Sequence, residues 1–318
     1  MSNVQQECSR PKKRRGKNSW RTNVFIVLML AYPLLQFLVF WLYANVDTVV
    51  LTFSRIDPET GEYALWGVER YKKVFENMIL GKDVAARTMF WNSFRAILIN
   101  FIILPLAVIT AYCFYKKVPG ERIFRVLFYM PSMISLVVLT MVYTNMFSAQ
   151  FGPIAAILNK LTGKNVEYLS SRNDYLWGLI YLFCIWAGLG SNVILMCGAM
   201  QRIPREVTES LELDGAGFWR ELGAFVIPLI MPTITVFVLT AIMTPASFYM
   251  QPMLIAKTAG EDNKFMTISW NIFEGAASGS QRSVLQTATE GVVFSTINAP
   301  LIIGTKILMD KLTPDVSY

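Results

Sequence analysis

Residues 209–232 read ESLELDGAGFWRELGAFVIPLIMP. An acidic, helix-like run is broken at Asp214-Gly215-Ala216-Gly217, and two large aromatics and an apolar segment with two prolines follow. Pro204 suits the first turn of a helix, Glu206 and Glu209 favour its positive N-terminal end, and Val207 and Leu211 fall four apart on one face. Gly215 accepts a positive φ without steric cost, and Phe218 and Trp219 are large enough to fill a pocket on another protein. Such a stretch reads either as a docking element or as a helix-turn-helix connector packed on its own bundle, and its chemistry leaves both open. Two charges, Arg95 and Glu290, stand in apolar segments, each roughly 8 to 9 Å in from the same end. An isolated charge at that depth is costly, so they are expected to pair or to face a cavity, with snorkelling as the alternative for Arg95.

Other chemistries are excluded by what the sequence lacks. Histidine is absent, which removes Ser-His-Asp and Cys-His catalysis and His-rich metal sites. Cys8, Cys113, Cys184 and Cys197 show no C-x-x-C spacing, so neither a zinc site nor a disulfide framework is indicated. The Gly-Lys pairs at Gly16, Gly81 and Gly163 lack the upstream glycine and trailing hydroxyl of a Walker A loop. Several mid-membrane carboxylates, the mark of a proton-driven carrier, are also missing. The chain is therefore expected to be no enzyme, to bind no metal or cofactor, and to need an energising partner.

The elements that must position these residues are membrane spans. The chain has 318 residues, 54% hydrophobic, with a mean hydropathy of +0.42, far above what a soluble core needs. Six segments approach or exceed the roughly 20 residues that cross a bilayer: 23–45, 90–115, 126–148, 175–200, 226–255 and 284–308. The prolines at 131, 228, 232 and 245 are expected to kink the third and fifth. Arg10, Lys12, Lys13, Arg14, Arg15, Lys17 and Arg21 carry much of the net charge of +7 and are read as an orientation signal rather than a nucleic-acid arm. The apolar run Val24 to Ala44 has no small-residue cleavage site, so a removed leader is not expected. The connection at 116–125, KKVPGERIFR, carries four bases in ten residues. Basic tail and basic connection put both termini and the loop 201–225 in the cytoplasm. In the first outer loop, Trp66, Tyr71, Val74 and Phe75 can line one side of a short helix, read as interfacial with contact to an external partner as the alternative.

Ile203-Pro204, Glu209, Asp214-Gly215-Ala216, Ile227-Pro228 and Pro232 closely resemble the EAA signature of permease subunits of bacterial ABC importers, in the form seen in sugar permeases such as those for maltose. Asn92-Ser93, the run Gly120 to Pro131, Phe151-Gly152-Pro153 and the segment Trp186 to Gln201 extend the likeness over roughly 24–312. The resemblance implies an all-α, polytopic type I permease of six transmembrane helices spanning 23–312, between a basic tail at 1–22 and a short tail at 313–318. It implies a coupling helix within 201–225 seated in a groove of a separate ATPase. Glu209 would make the polar contact, Asp214 and Gly215 would set the turn, and Ala216 would allow close packing. Val207, Leu211, Phe218 and Trp219 are added as docking side chains on physical grounds. Ser210-Leu211 replaces Ala-Ala, and AKTAGEDNKFMT lacks the LT-x-GGP pattern usual in sugar permeases.

By the same resemblance, halves of the fourth and fifth spans face a translocation cavity. Trp186, Gly188, Ser191 and Asn192, with Thr240, Thr244, Ser247, Tyr249 and Gln251, offer aromatic faces for a sugar ring and donors and acceptors for its hydroxyls. The bland alternative is that the hydroxyls bond their own helices and the aromatics mark the interface. The expected role is uptake of a carbohydrate, most simply an oligosaccharide, across the bacterial inner membrane. A polyol or glycerophosphodiester stands as an alternative cargo, and an ion-driven carrier as an alternative class. The implied partners are a second permease subunit forming a heterodimer, two ATP-binding subunits that use ATP and Mg, an extracytoplasmic binding protein and the lipid bilayer, with no nucleic acid.

Overall fold

The computed structural model describes residues 19–56, 63–65, 67–163, 166–173, 175–213, 215 and 217–313, and it divides into two units, residues 1–51 and 52–318. In the first unit, the helix α1 (Trp20–Thr52) runs for 33 residues. At about 1.5 Å per residue this exceeds the roughly 30 Å of a hydrocarbon core. Its one irregularity is a π-helical turn at Phe37–Leu42.

The second unit opens with a hairpin the sequence reading did not expect. Strands β1 (Ser54–Ile56) and β2 (Tyr63–Leu65) pair antiparallel, with Arg55 opposite Ala64. The expected short helix follows as α2 (Glu69–Met78). Val74 and Met78 are buried and Phe75 is exposed, while Tyr71 packs on Phe53 with ring centroids 5.1 Å apart. The helix therefore lies on the bundle through one apolar face. Trp66 falls outside the described residues.

The organising helix is α3 (Val84–Tyr115). Asp83 caps it, its Oδ1 accepting from the amides of Ala85 at 3.0 Å and Ala86 at 3.4 Å, which satisfies donors that have no partner within the helix. A tight basic turn ends it, in which Lys117 takes a φ of 53°. α4 (Glu121–Met133) and α5 (Leu136–Met146) follow, then α6 (Pro153–Thr162), which starts on a proline at its first turn, where the missing N–H costs nothing. α7 (Leu176–Met200) is unbroken and packs mainly on α3. Small residues make this approach possible: Ala96, Ala107 and Ala111 of α3 are buried. At Gly190 of α7, a Cβ atom would lie 2.2 Å from the carbonyl oxygen of Phe128, so α4 crosses α7 at a contact only glycine permits.

Beyond α7 come α8 (Arg205–Leu213), α9 (Phe218–Leu229) and α10 (Met231–Ala246), α11 (Met250–Ala256), α12 (Ile268–Ala277) and α13 (Gln281–Leu312). The expectation of six spans fits the fold when each of two bent helix pairs is one span. Four helices among the described residues are long and apolar enough to cross a membrane singly, and the count reaches six only if each of two bent pairs is one span. α4 and α5 meet at 108°. Pro131 has no N–H to continue the ladder, and Ile134 and Ser135 are extended, with ψ of 142° and 135°. α9 and α10 meet at 76° at Ile230, between Pro228 and Pro232. Pro245 then sits in a 3-10 turn, Thr244–Ala246. The prolines do more than kink these stretches; they cut them.

Candidate functional site

Two regions gather the polar residues singled out by the sequence, one at each end of a path along α3. At its C-terminal end, α8 forms the expected helix and Gly215 takes a φ of +67°, a conformation that excludes most side chains. Glu209 is exposed and lines a cavity of about 580 Å³ with Thr208, Lys116, Lys117, Glu121 and Arg125. Glu121 and Arg125 pair one turn apart on α4. The side chain of Val207, and Asp214 and Ala216 altogether, lie outside the described residues.

Two of the proposed docking side chains face inward. Leu211 is buried, and Phe218 packs on Tyr112 of α3 with centroids 4.7 Å apart. They hold α8 and α9 to their own bundle, because each can cover apolar surface there. Trp219 is 68% exposed, and Leu213, which sequence reasoning missed, is 89% exposed. The apolar face presented outward is thus Leu213 and Trp219, beside exposed Glu206 and Glu209.

Glu221 also belongs to this region. It is 2% exposed, and its carboxylate lies 2.9 Å from the Lys116 ammonium at the C-terminus of α3. Nothing in the sequence pattern marks this pair, since the residues are 105 apart.

About sixteen residues back along α3, roughly 24 Å at helical rise, lies a cavity of about 210 Å³ between α3, α7, α10 and α11. Four of the expected residues meet there: Gly188, Asn192, Thr244 and Gln251. Asn100 joins them, missed by sequence reasoning although it is an amide inside an apolar run. Its Nδ2 donates to the Ala96 carbonyl at 2.9 Å and to Thr244 Oγ1 at 3.2 Å, and Thr244 in turn donates to the Thr240 carbonyl at 2.9 Å. Asn192 Nδ2 donates to the Gly188 carbonyl at 2.7 Å. Phe183, Phe248, Ile99 and Ile103 supply apolar wall. No charged side chain lines this cavity among the described residues. Fixed amides and a hydroxyl against apolar surface suit a neutral, hydroxyl-bearing solute.

The other five candidates are not in its lining. Ser191, Thr240 and Ser247 donate to carbonyls of their own turns, the competing reading for helical hydroxyls. Trp186 lies against Tyr143 and Phe183, and Tyr249 stacks on Phe273 at 5.1 Å.

Arg95 and Glu290 do not pair, and neither faces this cavity. Arg95 sits over the Trp177 ring, 4.6 Å from its centroid, where the ring quadrupole attracts the guanidinium. Glu290 is buried and accepts from Asn271 Nδ2 at 2.6 Å and Gln286 Nε2 at 3.1 Å. Each charge has found local partners, which removes the need for the other. Glu290 instead lines a separate space of about 220 Å³ near the start of α3, with Asn77, Asp83, Asn263, Asn271 and Gln286.

The segment that departs from the sugar-permease pattern is pinned between these regions. Asn92 Nδ2 reaches the carbonyls of Lys264 at 2.9 Å and Met266 at 3.0 Å, and Trp177 Nε1 donates to the Lys264 carbonyl at 3.0 Å. Ser93 Oγ accepts from the Ile268 amide at 2.9 Å. Lys257, Gly260, Asp262 and Asn263 all take positive φ.

A family model described as binding-protein-dependent transport system inner membrane component matches residues 103–318. The chain is 26% identical over 216 residues to the arabinooligosaccharides transport system permease protein of Bacillus subtilis, covering 67% of this chain and 66% of that one. It is 22% identical over 320 residues to the diacetylchitobiose uptake system permease protein of Streptomyces coelicolor, covering 95% and 86%. The first match spans just under two thirds of that relative's length. Among solved structures, a bacterial ABC transporter involved in import of the acidic polysaccharide alginate superposes with a TM-score of 0.77 at 16% identity, covering 92% of this chain and 98% of that one.

Proposed function

Since the chain belongs to the family of binding-protein-dependent transport system inner membrane components, we propose that it is a permease subunit of an ATP-driven importer and forms part of the path for a neutral oligosaccharide. The observation that carries this reading is the uncharged cavity of Asn100, Asn192, Thr244 and Gln251. Its amides and hydroxyl match sugar hydroxyls, and its aromatic walls match the apolar faces of the rings. The names of the sugar-transporting relatives support the same class. An anionic cargo would call for a base in the lining, and none is there among the described residues.

In this reading the chain performs no chemistry and binds no cofactor. Two partner ATPases use ATP and Mg, and a binding protein delivers the solute from outside. A second permease subunit completes the path as a heterodimer. The basic tail and the face bearing Glu209, Leu213 and Trp219 lie in the cytoplasm, residues 23–312 form the permease domain, and α8 is the coupling helix. ATP binding draws the coupling helices together and favours the outward-open state, because the ATPases bind that state better.

Reconstitution with the ATPase, second permease and binding protein tests it. Uptake of a neutral oligosaccharide should require ATP and fall at least tenfold in Asn100→Leu, the order expected when buried polar contacts to a solute are lost. Uptake by the purified chain without ATPases would overturn the reading.

A further inference from the structure

We propose that the pair of half-buried Lys116 with buried Glu221 is the strut that carries movement of the coupling segment into α3, and through α3 to the solute cavity. The inference rests on the coupling role given to α8 above. Glu221 begins three residues after the start of α9, the helix joined to α8 through the Gly215 turn. Its carboxylate is almost wholly buried, 2.9 Å from Lys116. Lys116 caps the C-terminus of α3, where the helix dipole also favours a cation. The same unbroken helix contributes Ala96, Ile99, Asn100 and Ile103 to the cavity. A push on α9 therefore reaches a cavity wall through one ion pair and one continuous helix, which carries Pro105 between Lys116 and the cavity residues.

Two further features make this pair the point of transmission. Phe218 on Tyr112 adds a ring contact one turn away, so α9 grips α3 at two places. Lys116 also lines the cavity of about 580 Å³, together with Glu209 and Thr208 of α8 and Lys117, Glu121 and Arg125. α8 thus borders open space towards the 116–125 turn, whereas α9, beyond the Gly215 turn, is tied to α3 by a charge pair. The pair resists separation, since withdrawing Lys116 leaves the buried Glu221 carboxylate stranded away from water.

The test is made in the assembled complex, with Glu221→Gln, Lys116→Met and the exchange Lys116→Glu/Glu221→Lys. ATPase copurification, ATP hydrolysis and solute uptake are measured for each. Both single variants should bind the ATPase and hydrolyse ATP, while uptake per ATP falls about tenfold, and the exchange should recover most of it, as expected for directly interacting residues. Wild-type uptake per ATP in the single variants would overturn the strut, as would an exchange that assembles but stays uncoupled. Loss of assembly in both single variants would also overturn it, assigning the pair to folding alone. Leu213→Cys, cross-linked to the ATPase, separates the two ideas. If it cross-links while the singles remain coupled, the strut fails and the coupling face stands; if it never cross-links in the wild-type background, the coupling reading itself fails.

Discussion

Asn92 and Asn100 lie eight residues apart on one helix and have opposite duties. Asn92 is buried and holds a loop of unusual backbone by donating to the Lys264 and Met266 carbonyls. Asn92→Leu would leave buried acceptors short of donors, at about 1–3 kcal/mol, so the thermal unfolding temperature in detergent should fall. Asn100 lines the cavity, and part of its amide is engaged by Thr244. Asn100→Ala should leave the unfolding temperature within a few degrees and instead weaken uptake. A large fall in stability with normal uptake would reverse these assignments. Arg95 gives a third case: Trp177→Leu should destabilise the chain by about 0.5–2 kcal/mol from the lost cation–π contact, and further through the lost hydrogen bond to the Lys264 carbonyl and the ring's packing, whereas Glu290→Gln should leave Arg95 unaffected. A double variant whose effects add would match the separate partners seen here.

At the scale of elements, the breaks matter as much as the helices. α4 and α9 end where prolines remove ladder donors, and the chain turns by 108° and 76° there. α4 is kept against α7 by Gly190, where even one added carbon would meet the Phe128 carbonyl. Gly190→Ala should cost about 1–3 kcal/mol as the helices are forced apart, read as a lower unfolding temperature, while Gly198→Ala on the same helix, with open space around it, should be nearly neutral. On the coupling face, Leu213→Glu and Trp219→Ala should weaken capture of the ATPase, because exposed aromatic and aliphatic anchors carry most of such contacts. Leu211→Ala should instead lower stability, since its side chain is buried in its own bundle. Equal effects of Leu211→Ala and Leu213→Glu on ATPase capture would undo that division.

For the whole molecule, the sequence reading and the structure meet at different depths. Hydropathy identifies a membrane chain, because that property depends on composition and local spacing. Helices α1, α3, α7 and α13 were legible for the same reason: each is one long apolar run, and membrane helices satisfy their backbone within themselves. The Glu209 to Pro232 spacing was legible as a helix, a glycine turn and a re-entry. Four cavity residues were found because polar side chains in an apolar run are conspicuous, but nothing local distinguishes Thr244, which lines the cavity, from Ser247, which does not, since both hydroxyls bond carbonyls of their own turns. The angle at a proline break, the inward turn of Leu211 and Phe218, the separate partners of Arg95 and Glu290, and the meeting of Lys116 with Glu221 were decided only by tertiary structure. Each depends on which surfaces lie opposite one another across distances of many residues, and that is set by helix packing rather than by any residue's own type or neighbours.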